Sequence, residues 1–244
     1  MSTADHHDRL RLSATGGRTV PVRFDGAAPP GLVRPAPGDF AVFAADRACR
    51  VDPAVLSGDE AERAAGFLRA ADRERYTVAH VMLRLLLAAY LGGDPASLQL
   101  FAEACPLCGG PHGRPAVAGE PRLHFSLSHG GAFALAAFAS EPVGVDVEPV
   151  PEDAAVRDLL GCLDAAERRE FDALPPRERR SAFARAWVRK EARLKALGTG
   201  LALDPASVHA GLGPGPGPGV ADVAMPHGHA AAVAFTGRRP SSPR

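Results

Sequence analysis

Two runs of about twenty residues with helical patterning, near 72–91 and 177–197, each stand among short strand-like runs. That arrangement limits the fold more than any other feature of the chain. Before residue 141 the order is a strand at Phe40-Ala41-Val42-Phe43-Ala44, a helix opening at Ser57-Gly58-Asp59-Glu60, and a long helix stopped by Gly92-Gly93. Strands at 123–128 and 132–139 follow, around a His129-Gly130-Gly131 turn. Beyond Pro142 a strand at 143–148 is ended by Pro149 and Pro151, because proline cannot donate to a ladder. Helices near 152–174 and 177–197, divided by Pro175-Pro176, lead to a last strand at 229–235. The pattern predicts an α/β (α+β) fold of two similar-sized halves, 38–141 and 142–236, in pseudo-twofold arrangement with the active site in the cleft between them. Residues 1–37, rich in Gly, Pro, Arg and Ser without periodicity, read as a mobile leader, and 237–244 as a disordered tail. The stretches 105–119 and 211–219 read as loops.

Apolar residues make up 46% of the 244 and charged residues 23%, enough for a sizeable core. Twenty-eight basic residues cancel 28 acidic ones, so no overall field draws the chain to nucleic acid or a membrane surface, and any phosphate site must be local. The longest apolar run, 81–91, is interrupted by Arg84 and far shorter than a bilayer requires. With no secretory pattern at the start and four cysteines, the expectation is a cytoplasmic protein with reduced thiols. A monomer is expected. Only two of the basic residues are lysines, Lys190 and Lys195, in one short segment, and the compact ammonium group differs from guanidinium in hydration and shape.

Three segments carry chemistry. In Gly144-Val145-Asp146-Val147-Glu148 the alternation of a strand turns both valines one way and both acids the other, where one cation could bridge them. The bland alternative is a solvated acidic face. In Trp187-Val188-Arg189-Lys190-Glu191-Ala192-Arg193-Leu194-Lys195, helical spacing puts Lys190 in the middle of the apolar stripe and Glu191 at its edge, one turn before Lys195. A charge at 190 needs a partner or a wet cleft, unless it is a snorkelling lysine beside an ordinary Glu-to-Lys surface pair. In Phe125-Ser126-Leu127-Ser128-His129-Gly130-Gly131 a hydroxyl, an imidazole and glycine backbone come together, which suits a phosphate oxygen or only a tight turn.

Taken in order, these segments resemble the 4'-phosphopantetheinyl transferase superfamily in its Sfp-type branch, over roughly 39–235. The shared pattern is Ser-His, Gly-x-Asp-x-Glu, and Trp-x-x-Lys-Glu-Ala with a lysine four residues after the Glu. Gly113-Arg114-Pro115 is similar to the family's Gly-Lys-Pro element, with Arg for Lys, and Arg75 and Arg84 match a spaced arginine pair. The resemblance implies Mg²⁺-dependent transfer of 4'-phosphopantetheine from coenzyme A to a serine of an apo acyl or peptidyl carrier protein, releasing 3',5'-adenosine bisphosphate. Such carriers serve fatty acid, polyketide or nonribosomal peptide biosynthesis. By residue-by-residue transfer, Asp146, Glu148 and Glu191 would hold the metal and Glu191 would act as base. Lys195 and His129 would contact the pyrophosphate, and Arg63, Arg75, Arg114 and Ser128 the 3'-phosphate. Pro115 and Lys190 would complete the coenzyme site.

Cys105-Pro106-Leu107-Cys108 with His112 stands outside that account. It offers three zinc ligands where a structural site takes four, so the sequence favours a metal-free loop unless Cys49, Cys162 or His124 arrives through folding. Two alternatives compete with transfer: a zinc-stabilised, non-catalytic binding module, and a Mg²⁺-dependent hydrolase of coenzyme-like phosphoanhydrides.

Overall fold

The computed structural model describes residues 18–236. In chain order the strands are β1 (Arg18–Thr19), β2 (Val22–Arg23) and β3 (Phe40–Asp46), followed by helices α1 (Gly58–Ala65) and α2 (Ala70–Leu91). A short hairpin, β4 (Leu100–Ala102) with β5 (Pro115–Val117), precedes the antiparallel strands β6 (His124–Gly130) and β7 (Phe133–Ala139). Next come β8 (Val143–Pro149), α3 (Asp153–Leu159), α4 (Ala165–Ala173), α5 (Pro176–Leu197), β9 (Val220–Val223) and β10 (His229–Phe235). One four-stranded sheet runs β2-β3-β7-β6 and the other β1-β9-β10-β8.

Alternation along the strands builds the layers. On β7, Ala134, Ala136 and Phe138 face α2, packing with Val78, Met82 and Leu86, while Leu135 and Ala137 face the second sheet. On β8, Val143, Val145 and Val147 fill the space between the sheets with Phe40, Val42 and Val233. The opposite face of the second sheet receives α5, where Val188, Ala192 and Ala196 meet Ala232 and Ala234. Two long helices thus enclose two face-to-face sheets, the mixed α+β architecture expected. Gly144 lies where α5 crosses β8, and a Cβ there would stand 2.0 Å from the Ala192 carbonyl oxygen. The glycine of Gly-x-Asp-x-Glu therefore permits the helix to approach the strand.

At the meeting of the two sheets, β6 and β8 are joined by side chains. Ser126 Oγ accepts the Val145 N–H at 3.1 Å and Ser128 Oγ the Val147 N–H at 3.3 Å, which satisfies donors that would otherwise be buried and unpaired. Gly130 lets the strands come this close, since a Cβ there would lie 2.3 Å from the Val147 carbonyl oxygen.

Four expectations change. Residues 18–37 are no leader: β1 pairs with β9 in one sheet, β2 pairs with β3 in the other, and Phe24 is buried. Strands this short leave no periodicity to read. Residues 1–17 of that leader, and the expected tail at 237–244, lie outside the described residues. The stretch 105–119 includes β5, and β9 follows the glycine-proline loop. The helix expected over 152–174 is divided, because Asp164 caps α4 in a reciprocal box with Glu167. Its carboxylate captures the backbone N–H groups of Ala166 and Glu167 and so starts a new helix there.

Candidate active site in the cleft between the sheets

A cleft of about 450 Å³ opens where β6, β8 and α5 converge. Strand β8 presents Asp146 and Glu148, α5 presents Trp187, Glu191 and Lys195, and β6 presents Ser128 and His129. The sequence spacing explains this: 146 and 148 share a strand face, and 187, 191 and 195 recur every four residues along one helical face. All three segments singled out in the sequence therefore meet in one cavity.

Asp146 is its buried centre. Its Oδ1 accepts the Ser128 hydroxyl at 2.8 Å and pairs with Lys195 Nζ at 2.7 Å, and Lys195 also donates to the Val145 carbonyl at 3.1 Å. Oδ2 is buried with no hydrogen-bond partner among the described residues. Burial and the charge of Asp146 push the Glu148 carboxyl up to about 7, against the pull of Lys195. The same two causes raise Glu191. Three carboxyl groups thus share one cleft with a single lysine, an excess of negative charge that a cation would relieve.

An orphaned carboxylate oxygen beside two crowded carboxyls is a donor set of hard oxygens, and it fits a small divalent ion such as Mg²⁺. The three do not close on one point, since they are not among the donor groups gathered within 4.8 Å of one another. Mg²⁺ keeps several waters and does not require them to.

His129 is neutral at pH 7: burial, then the charges of Arg75 and His80, bring it down to about 4. Its Nδ1 is buried without a hydrogen-bond partner among the described residues. His80, which sequence reasoning missed, lines the same cleft, stacked on Tyr76 with ring centroids 4.0 Å apart and 3.0 Å from Glu60. The signal was its spacing, four residues from both Tyr76 and Arg84 on α2. Arg84 is buried against Glu60 and the carbonyls of Pro95, Ala96 and Leu98, so it anchors α2 to α1 and the following turn.

The remaining expected residues lie around the cleft, outside its lining. Arg75 donates to the Gly131 carbonyl at 3.2 Å and to Asp72 at 2.8 Å. Exposed Arg63 sits over the Tyr76 ring, 5.9 Å from its centroid. Arg114 pairs with Glu103 at 2.9 Å and donates to the Ala196 and Leu197 carbonyls, both at 3.2 Å, tying the β4-β5 hairpin to the end of α5. Pro115 begins β5 and is exposed. Lys190 is a correction: it is fully buried, 2.7 Å from Glu167, and donates to the Pro205 and Val208 carbonyls. Five residues of helix turn it about 140° away from Lys195, so the two cannot share a ligand on one face. Neighbouring Arg189, also missed, is fully buried in a bidentate pair with Asp222, both contacts 2.7 Å.

Among the described residues no helix is long and apolar enough to cross a membrane. Residues 142–235 match the family model described as the 4'-phosphopantetheinyl transferase superfamily. The chain is 26% identical over 157 residues to a 4'-phosphopantetheinyl transferase of Bacillus subtilis, covering 62% of this chain and 63% of that one. It is 32% identical over 154 residues to 4'-phosphopantetheinyl transferase HetI of Nostoc sp., covering 61% and 62%. With 4'-phosphopantetheinyl transferase Sfp of Bacillus subtilis strain 168 the identity is 25% over 151 residues, covering 61% and 62%. Each alignment spans less than two thirds of the relative's own length. The matched segment carries Asp146, Glu148, Glu191 and Lys195 together, so the β8 and α5 walls of the cleft lie in the part of the chain that is similar to that superfamily.

Proposed function

We propose that this cleft transfers the 4'-phosphopantetheine group of coenzyme A to a serine of an apo acyl or peptidyl carrier protein, Mg²⁺-dependently, releasing 3',5'-adenosine bisphosphate. The observation that carries the reading is the convergence of Asp146, Glu148 and Glu191 around one cavity with Lys195 paired to Asp146. Bound to Asp146, Glu148 and Glu191, Mg²⁺ supplies neutralisation of a pyrophosphate and polarisation of its phosphorus. Lys195, on the same face of α5 as Glu191, adds a second cation to the cleft, and its link to Asp146 holds it in place before substrate enters. Glu191, on the helix side, is the base that takes the proton of the incoming serine hydroxyl. Neutral His129 donates a ring N–H to a phosphate oxygen. Arg75, beside the glycine turn after β6, and Arg63 and Arg114 at the periphery are assigned to the 3'-phosphate. Ser128, whose hydroxyl is spent on Asp146 and β8, acts by fixing the metal-binding aspartate.

The test is mass spectrometry of an apo carrier protein incubated with the chain, coenzyme A and Mg²⁺. A gain of one phosphopantetheine group on the carrier serine is expected. An unmodified carrier with cleaved coenzyme would instead mean hydrolysis, and an unmodified carrier with intact coenzyme a binding role.

A further inference from the structure

The loop between β4 and β5 brings together three soft donors that the transfer reaction does not use. The Sγ atoms of Cys105 and Cys108 and a ring nitrogen of His112 lie within 4.8 Å of one another, with Cys108 Sγ 3.0 Å from His112 Nε2. All four cysteines of the chain are free, and Cys49, Cys162 and His124 are not part of this group. Backbone geometry pre-forms the arrangement. The Gly109 N–H donates to the Cys105 carbonyl, the Cys105 N–H donates to the Gly110 carbonyl, both at 2.8 Å, and Gly109 takes a φ of 73° that side-chain-bearing residues avoid. At Gly110 a Cβ would lie 3.0 Å from the His112 ring and 3.3 Å from Cys108 Sγ, so the missing side chain keeps the space between the donors open.

We propose that Cys105, Cys108 and His112 bind one zinc ion, with water as fourth ligand, and that this ion braces the loop that positions Arg114. Zinc–sulfur bonds of about 2.3 Å and zinc–nitrogen bonds of about 2.0 Å put tetrahedral donors roughly 3.5 to 3.8 Å apart, within the spread found here. Two thiolates and an imidazole select zinc over Mg²⁺ or Ca²⁺, which prefer oxygen. Both thiols release their protons on binding. Cys105 is buried while Cys108 and His112 are exposed, so the fourth position faces solvent. The base of the loop closes through the Glu103 N–H to the Arg114 carbonyl and the Gly113 N–H to the Glu103 carbonyl, each 2.8 Å. A metal at the tip therefore fixes both strands leading to Arg114 and its contacts with the end of α5.

The experiment measures zinc by elemental mass spectrometry on the full chain, purified in reductant without chelator, for wild type and for Cys108→Ser, His112→Ala and Cys49→Ser. About one zinc per chain is expected in wild type and Cys49→Ser, falling at least about tenfold in the other two. Cys108 and His112 are exposed, so their variants keep the core. Cobalt substitution should give a thiolate-to-metal charge-transfer band that Cys108→Ser loses. Wild-type chain carrying less than about a tenth of an equivalent after incubation with zinc, or zinc content unchanged in Cys108→Ser and His112→Ala, overturns the proposal. Both readouts are independent of carrier modification.

Discussion

Lys195 Nζ stands 2.7 Å from Oδ1 of Asp146, joining the last turn of α5 to the middle of β8 and leaving the other oxygen of the same carboxylate unpartnered among the described residues. One aspartate thereby holds the cleft's lysine in place and, under the proposed function, would give its other oxygen to the cation. Asp146→Asn keeps an acceptor for Lys195 and Ser128 but removes the charge. Activity in the carrier assay should fall by about two orders of magnitude or more, while the thermal midpoint stays near wild type. Wild-type turnover at limiting Mg²⁺ would contradict the assignment.

The two lysines should separate cleanly. Lys190→Met leaves Glu167 buried with an unpaired charge and should cost about 3–5 kcal/mol in denaturant unfolding, with part recovered in the double variant Lys190→Met, Glu167→Leu. Lys195→Arg should leave stability nearly unchanged and lower turnover, because a planar fork replaces a compact ammonium in the cleft. Equal loss of stability in both would mean that Lys195 is a structural residue.

Gly144→Ala tests the packing of α5 on β8. With a methyl group 2.0 Å from the Ala192 carbonyl, either the helix or the strand must move, and a destabilisation of about 3 kcal/mol or more is expected. Circular dichroism melting checks it against Gly161→Ala, where nothing lies within 4 Å of the added carbon.

Arg75→Ala should raise KM for coenzyme A about 10- to 100-fold and leave KM for the analogue lacking the 3'-phosphate nearly unaltered, the size expected for one lost charge-assisted contact. Equal changes for both substrates would remove Arg75 from the 3'-phosphate site and leave it as a brace for the Gly131 turn.

Acid should weaken the α1–α2 junction through Glu60. Burial raises this carboxyl, but hydrogen bonds from His80, Arg84 and the Ser57 backbone outweigh it and bring it from 4.5 down to about 2. A depressed carboxyl stabilises the fold fully above its unfolded value and loses that contribution as pH falls toward the folded one. Wild type should therefore exceed Glu60→Gln in stability by on the order of 1–3 kcal/mol at pH 6, with the gap narrowing as pH falls from about 5 to 3. A gap independent of pH would show that the ionised carboxyl is not the source.

The alternation of Val145 and Val147 with Asp146 and Glu148, and the four-residue recurrence of Trp187, Glu191 and Lys195, were determined by sequence alone. Strand and helix periods decide which side chains share a face before any packing occurs. The same helical period correctly placed Lys190 in a buried stripe. What it faces there, Glu167 and the 205–208 turn, was decided by how α4 folds back on α5. The tertiary structure also decided that Ser128 serves Asp146, that Arg114 caps α5, and that β1 and β2 belong to different sheets. These are contacts between residues far apart in the chain, or strands two residues long, and local periodicity carries no information about either. The three donors of the Cys105 loop lie within eight residues, yet their convergence too depended on folding, since only the turn at Gly109 and Gly110 aims them at one point.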